Sequence, residues 1–178
     1  MIKRFFRKLI TLGILYIKGK PAYARHLGVK FGENCRIITT LWGTEPFLIK
    51  IGDNVTITDG VRFLTHDGSA CLARDEKGRR YLYAPIEVGS NVFIGVNSII
   101  MPGVKIEDNV IIAAGSVVTK SIKSGLVVGG VPAIILGQFN DTNKKMLRDY
   151  ISDANLDKSL SYKERVLSVT TDNYKPFL

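Results

Sequence analysis

From position 88 to position 123 an aliphatic residue returns at every sixth place: Val88, Ile94, Ile100, Ile106, Ile112 and Val118. Four residues after each stands a small or β-branched side chain, namely Val92, Ser98, Val104, Val110, Ser116 and Ile122. A period of six fits neither an α-helix, whose apolar residues recur at three and four, nor an ordinary strand, which alternates by two. Short repeated units that cannot bury their own apolar face stack on their neighbours. Six is the period of a chain wrapping a flat-sided prism, each side a short strand and each corner a turn. Three sides complete one coil, so 88–105 and 106–123 are each expected to form one turn of a triangular prism.

The same frame starts earlier, as Phe31-Gly-Glu-Asn-Cys-Arg and Ile37-Ile-Thr-Thr-Leu-Trp, and breaks at 43–50. It resumes at Ile51-Gly-Asp-Asn-Val-Thr, runs through Ile57-Thr-Asp-Gly-Val-Arg and Phe63, and breaks again between Thr65 and Pro85. Gly-Asp-Asn, Gly-Ser-Asn and Glu-Asp-Asn at 52–54, 89–91 and 107–109 are turn formers that tolerate left-handed backbone. The Val and Ile of the sides favour extended backbone. Gly89, Gly95, Pro102, Gly103 and Gly115 exclude a helix through this region. Residues 1–27 read as helical, with Phe5, Leu9, Leu12 and Tyr16 as a rough apolar stripe. After Ala133 the pattern changes: 142–152 reads as a short helix able to cover the open end of the prism, and 162–168 as another. The expected organisation is a helical segment at 1–27, a β-solenoid at 28–136 with an excursion loop at 68–85, and a helical tail at 137–178.

At 178 residues the chain suffices for one domain and an appendage. Lys and Arg outnumber Asp and Glu by 25 to 16, a net charge of +9, which suits an anionic partner without choosing one. No basic strand interleaved with aromatics is present, so nucleic acid is not expected as a partner. Two cysteines, Cys35 and Cys71, form no framework and suit a reducing cytosol; Cys35 falls at a small inward position and reads as buried filler. The first twenty residues hold six basic side chains (Lys3, Arg4, Arg7, Lys8, Lys18, Lys20) and no acid. The apolar stretch at 9–17 is too short to span a bilayer, and Lys18, Lys20 and Pro21 argue against a signal peptide. A basic amphipathic helix that packs on the domain or touches a membrane surface is the expectation.

The repeats, the stretch Val92-Phe-Ile-Gly-Val-Asn-Ser-Ile-Ile-Met-Pro-Gly-Val, then Ala113-Ala-Gly-Ser-Val-Val-Thr-Lys and Gly130-Val-Pro-Ala, resemble the hexapeptide-repeat acyltransferases over about 22–136. Within that family the chain is similar to the maltose and galactoside acetyltransferases, the streptogramin-type xenobiotic acetyltransferases and the O-acetyltransferases of surface-polysaccharide clusters. The resemblance implies an all-β, left-handed parallel β-helix, a homotrimer, acetyl-CoA as acyl donor, and active sites between neighbouring subunits. Periodicity alone shows none of handedness, trimer or donor.

Moving an acetyl group from a thioester to a hydroxyl needs a base for the acceptor's proton, stabilisation of the oxyanion, and alignment of the two substrates. A positioned base contributes about 10²–10⁴-fold, and an oxyanion donor about 10²–10³-fold. Histidine suits the first task because its ordinary pKa is about 6.5. His66 sits in Phe63-Leu-Thr-His-Asp-Gly-Ser, where the frame breaks and the loop departs, and the resemblance places the catalytic His there. His26, in Tyr23-Ala-Arg-His-Leu, reads as an exposed helix end. Asp67 either starts a turn, or orients the imidazole or binds sugar hydroxyls. Glu45 lies near an acidic substrate-binding residue of the sugar acetyltransferases, though at a different offset.

For the donor, the resemblance implies contacts at Gly95, Ala113, Ala114, Thr119 and Lys120, the lysine suiting the CoA phosphates as a flexible point charge. Phe93 stands where many relatives carry Trp, which keeps the wall apolar and removes an N–H donor. Tyr81 and Tyr83, among the charges of the loop, suit a carbohydrate acceptor. A sugar O-acetyltransferase serving surface polysaccharide is the leading expectation, with inactivation of a streptogramin-type antibiotic or a non-catalytic trimeric scaffold as alternatives. A zinc enzyme on the same scaffold is disfavoured, since such sites take three protein ligands and the chain has two histidines. The reaction is expected in the cytoplasm, with the inner face of the membrane as one option within it, and without a metal.

Overall fold

The computed structural model describes residues 2–171 and 174–175. Three parallel sheets receive the chain in turn. The first contains Lys30–Phe31, Ile49–Ile51, Ile86–Val88 and Lys105–Ile106 in that spatial order. The second contains Arg36–Ile37, Thr56–Ile57, Val92–Ile94, Val110–Ile112 and Leu126–Gly129, and the third Arg62–Phe63, Ile99–Ile100 and Val117–Val118. Between 86 and 118 the step is eighteen residues, with Glu87 beside Lys105, Val92 beside Val110 and Ile99 beside Val117. Each sheet is therefore one side of the prism, and the six-residue frame maps one unit to one side.

The aliphatic position of each unit points inward. Ile57, Ile94, Ile100 and Ile112 are fully buried, as are Val55, Val61 and Val110 at the small position. Each buried Val or Ile contributes about 1.5–3 kcal/mol relative to exposure. Ser98 and Ser116 occupy the small position without an unpaired hydroxyl: Ser98 donates to the Gly95 carbonyl at 2.8 Å and Ser116 to the Ala113 carbonyl at 2.6 Å. Three residues after the inward position at 31, 51, 88, 94 and 106 the backbone turns through the left-handed region, with Asn34, Asn54, Asn91, Asn97 and Asn109 at φ 54–59°. Gly60, Gly103 and Gly115 take the equivalent place. Only Asn and Gly enter that region cheaply, and the corner sequences supply them. The corners then stack, Asn91 N–H donating to the Asp53 carbonyl and Asn109 N–H to the Ser90 carbonyl.

The final coil departs from the frame. Ile106 pairs with Ile122, and Ile112 with Val128, so this coil closes in sixteen residues rather than eighteen. At the shortcut the Ser121 hydroxyl accepts from Lys105 N–H at 3.0 Å, where one coil earlier the Val104 carbonyl accepts from Glu87 N–H. Leu126–Gly129 then pairs antiparallel with Ile134–Gln138. Cys35, expected as buried filler, is half-buried, its thiol 3.2 Å from the Gly52 carbonyl.

The N-terminal helix runs over Ile2–Leu27 but is broken at Gly19 (φ 82°), two residues before Pro21. Its second arm packs on the first coil: Ala24 is fully buried, Tyr23 and Leu27 lie against the core, and the Arg25 guanidinium sits 4.0 Å over the Phe31 ring. His26 is exposed at the helix end. The side chain of Phe5, first in the expected stripe, lies outside the described residues. Residues 140–178 form a separate compact unit. The helix Phe139–Asp149 leads into it from its first residue, and Tyr162–Val169 follows within it, opened by a capping box between Ser161 and Glu164. Among the described residues no helix is long and apolar enough to cross a membrane.

Candidate active site

The excursion loop leaves and re-enters the prism as an antiparallel stem. His66 pairs with Tyr83, Asp67 N–H donates to the Leu82 carbonyl at 3.1 Å, and Ala84 N–H to the Thr65 carbonyl at 2.9 Å. Beyond the stem lie a short 3₁₀ turn at Gly68–Leu72 and a two-strand ladder of Arg74–Asp75 with Gly78–Arg79. His66 thus stands at the root of the loop, anchored on one side by the fully buried Thr65 and on the other by the stem.

The earlier break in the frame approaches the same point. Gly43 has φ 71°, and a Cβ there would lie 2.6 Å from the Phe63 carbonyl oxygen, so no other residue fits this crossing without moving backbone. Beneath it Trp42 stacks on Phe63 with ring centroids 5.2 Å apart. The crossing delivers Thr44 and Glu45 to the side of His66.

His66 Nδ1 lies 3.0 Å from Glu45 Oε2 and 3.1 Å from Thr44 Oγ1. The Glu45 carboxylate also accepts from Thr44 Oγ1 and from Thr65 Oγ1, each at 2.7 Å. Burial raises the Glu45 pKa, but the hydrogen bonds from Thr44, Thr65 and His66, with the His66 charge, outweigh it and hold the carboxyl below its ordinary value. An ionised carboxylate only accepts, so Nδ1 donates the ring proton in this contact, which makes Nε2 the basic nitrogen of the neutral ring. Such an arrangement can serve as a base held by an orienting acid. Glu45, expected at the substrate, is in direct contact with the imidazole; Thr44 and Thr65, which no pattern in the sequence singled out, complete its shell.

Asp67 does not reach the ring. Its carboxylate accepts from Ser69 N–H at 2.9 Å and Ser69 Oγ at 2.6 Å, closing the 3₁₀ turn. Those two bonds lower its pKa, with a smaller contribution from the nearby His66. His66, Glu45 and Asp67 share a cleft of about 100 Å³ with Arg79, Tyr81, Leu82 and Tyr83. Tyr81 and Tyr83 stack with centroids 6.1 Å apart, and Arg79 covers Tyr81 at 4.6 Å. Two exposed aromatic faces beside a cation form a wall suited to a polar ring.

The remaining candidates fall on two edges of the prism. Thr119 and Lys120 follow the third sheet, on the same edge as His66 and two coils along; they line a hollow of about 260 Å³ with Leu126, Ile134 and Ile135. Gly95, Ala113 and Ala114 form the other edge, between the second and third sheets, and Phe93 faces outward from the second sheet, 44% exposed. One chain therefore does not gather all of them. Gly95 also has a packing role, since a Cβ there would lie 2.4 Å from Ala114 N and 2.8 Å from the Ala113 carbonyl carbon. Gly95→Ala should cost about 1–3 kcal/mol through forced backbone shifts, read as a lower urea midpoint; an unchanged midpoint would mean that the corner yields.

Residues 85–120 match the family model described as the hexapeptide repeat of succinyl-transferase. Protein CapG of Staphylococcus aureus is 40% identical over 167 residues, covering 92% of both chains. Galactoside O-acetyltransferase of Escherichia coli K12 is 35% identical over 70% of this chain, which spans 60% of that longer protein. The crystal structure of a maltose O-acetyltransferase from Clostridium difficile 630 superposes with a TM-score of 0.53 at 26% identity, over 68% of this chain and 75% of that one. Stacked six-residue units, the spaced motifs and a relative of matching length agree, and the chain belongs to the hexapeptide-repeat acyltransferases.

Proposed function

We propose that this protein transfers the acetyl group of acetyl-CoA to a hydroxyl of a sugar, with His66 as general base. The His66–Glu45 pair at the mouth of the tyrosine-walled cleft carries this reading. The relatives named galactoside and maltose O-acetyltransferases support the sugar acceptor, and the resemblance to surface-polysaccharide O-acetyltransferases supports a polymer precursor as the acceptor in the cell.

His66 Nε2 takes the acceptor's proton as its oxygen attacks the thioester carbonyl. The imidazolium formed is stabilised by Glu45 through Nδ1–H. His66 then returns the proton to the departing thiolate, so the base is regenerated and no enzyme ester forms. The hollow beside Thr119 and Lys120 fits the donor, its apolar wall suiting the pantetheine arm and Lys120 the phosphates. Because the His66 edge and the Gly95–Ala114 edge lie apart on one prism, a complete site needs one edge from each of two copies. A left-handed β-helical homotrimer with three inter-subunit sites meets that need. Tyr81, Tyr83 and Arg79 would hold the acceptor, and Phe93 would wall the donor groove. The free thiols of Cys35 and Cys71 suit a cytoplasmic site of action.

Release of free CoA thiol from acetyl-CoA, measured across monosaccharides, nucleotide sugars and a streptogramin, tests the reading. Sugar-dependent release from a trimer by sedimentation equilibrium is expected. Lys120→Ala should raise the KM for acetyl-CoA about tenfold, the scale of one charge-assisted contact, with kcat little changed. Trimers that neither release thiol nor bind acetyl-CoA would mark a scaffold instead.

A further inference from the structure

The first arm of the N-terminal helix turns its apolar side outward. Leu9, Ile10, Leu12, Tyr16 and Ile17 are all exposed, Tyr16 and Ile17 by 83% and 84%. Leu9 and Tyr16 are seven residues apart, as are Ile10 and Ile17, so helical spacing gathers them on one broad face. On the other side Thr11 Oγ1 lies 3.2 Å from His26 Nε2, and Ile14 and Leu15 are half-buried. An amphipathic helix serving only the core of its own domain would be turned the other way. The break at Gly19 and Pro21 separates this arm from the one that packs on the prism.

Charge identifies the occupant. The first twenty residues hold six basic side chains and no acidic one. Packing this face on a second copy would bring two such cationic segments together, whereas an anionic surface attracts both. The helix is too polar to cross a bilayer, but an exposed apolar face in a cationic segment suits the plane of the headgroups. We propose that this arm docks the protein on an anionic lipid surface, with Leu9, Ile10, Tyr16 and Ile17 inserted at the level of the acyl-chain boundary. The proposal does not depend on the acyl donor or acceptor.

Flotation of the full chain with phosphatidylcholine vesicles, with and without phosphatidylglycerol, tests it. The protein should float with the anionic vesicles and not with the neutral ones. It should be released by 1 M salt, where the screening length falls to about 3 Å. Ile10→Asp combined with Ile17→Asp should reduce the bound fraction about tenfold or more, without lowering the melting temperature. Failure to float with anionic vesicles, or equal flotation with both, overturns the proposal. So does loss of oligomer in the double variant, which would assign the face to a second copy of the chain.

Discussion

His66→Ala is expected to lower kcat for sugar acetylation by about 10²–10⁴-fold, the range of a positioned general base. Binding of acetyl-CoA should persist, because Thr119 and Lys120 lie two coils away along the edge. The fold should persist too: the ring is about two-fifths exposed, and the stem is held by backbone bonds from Asp67 and Ala84 that the substitution leaves intact. Titration of acetyl-CoA binding beside thiol release separates these outcomes. A variant that binds the donor and keeps full kcat would remove His66 from the chemistry.

Glu45→Gln is expected to lower kcat by about 10²-fold or more, because an amide holds the imidazole tautomer less strictly and cannot offset the imidazolium charge. KM for the acceptor should change little, which distinguishes an orienting acid from a substrate contact. Asp67→Asn should stay within about threefold of wild type, as for surface changes outside the machinery, because Asp67 meets Ser69 and not the ring. If Asp67→Asn proves the more damaging of the two, their roles are reversed.

The carboxyl of Glu45 also predicts a stability profile. Its pKa in the folded chain lies below the ordinary value, so its contribution is fully present above the unfolded carboxylate pKa of about 4.3 and is lost as the pH falls through the lower folded value. The stability difference between wild type and Glu45→Gln should therefore hold at neutral pH and close in acid below about pH 4. Urea midpoints across that range read it directly; a difference that widened in acid would contradict the network.

The repeat architecture was legible because its units are local. An inward aliphatic at every sixth place, with Asn or Gly three residues on, specifies a side and a corner wherever it occurs, as at Val88–Asn91 and Ile106–Asn109. Both exceptions to the frame that matter at the site were visible as exceptions, 43–50 and 65–85, and His66 was legible as the histidine at the second. Their meaning was not. That Glu45 meets His66 depends on a backbone crossing twenty residues earlier, licensed by the bare Cα of Gly43 against the Phe63 carbonyl, and sequence spacing does not report such an approach. Thr44 and Thr65 look like ordinary β-branched residues until the two breaks are brought together. For Asp67, adjacent to the histidine, the sequence left a turn and an orienting role both open, and its bonds to Ser69 N–H and Oγ select the turn. By itself the sequence determined the coil and its corners, since these rest on short-range periodicity and residue chemistry, while the family resemblance singled out the histidine. Only the tertiary structure decided which acid lies against that histidine, which edge each candidate occupies and which way the N-terminal helix faces, because each depends on contacts between segments far apart in the chain.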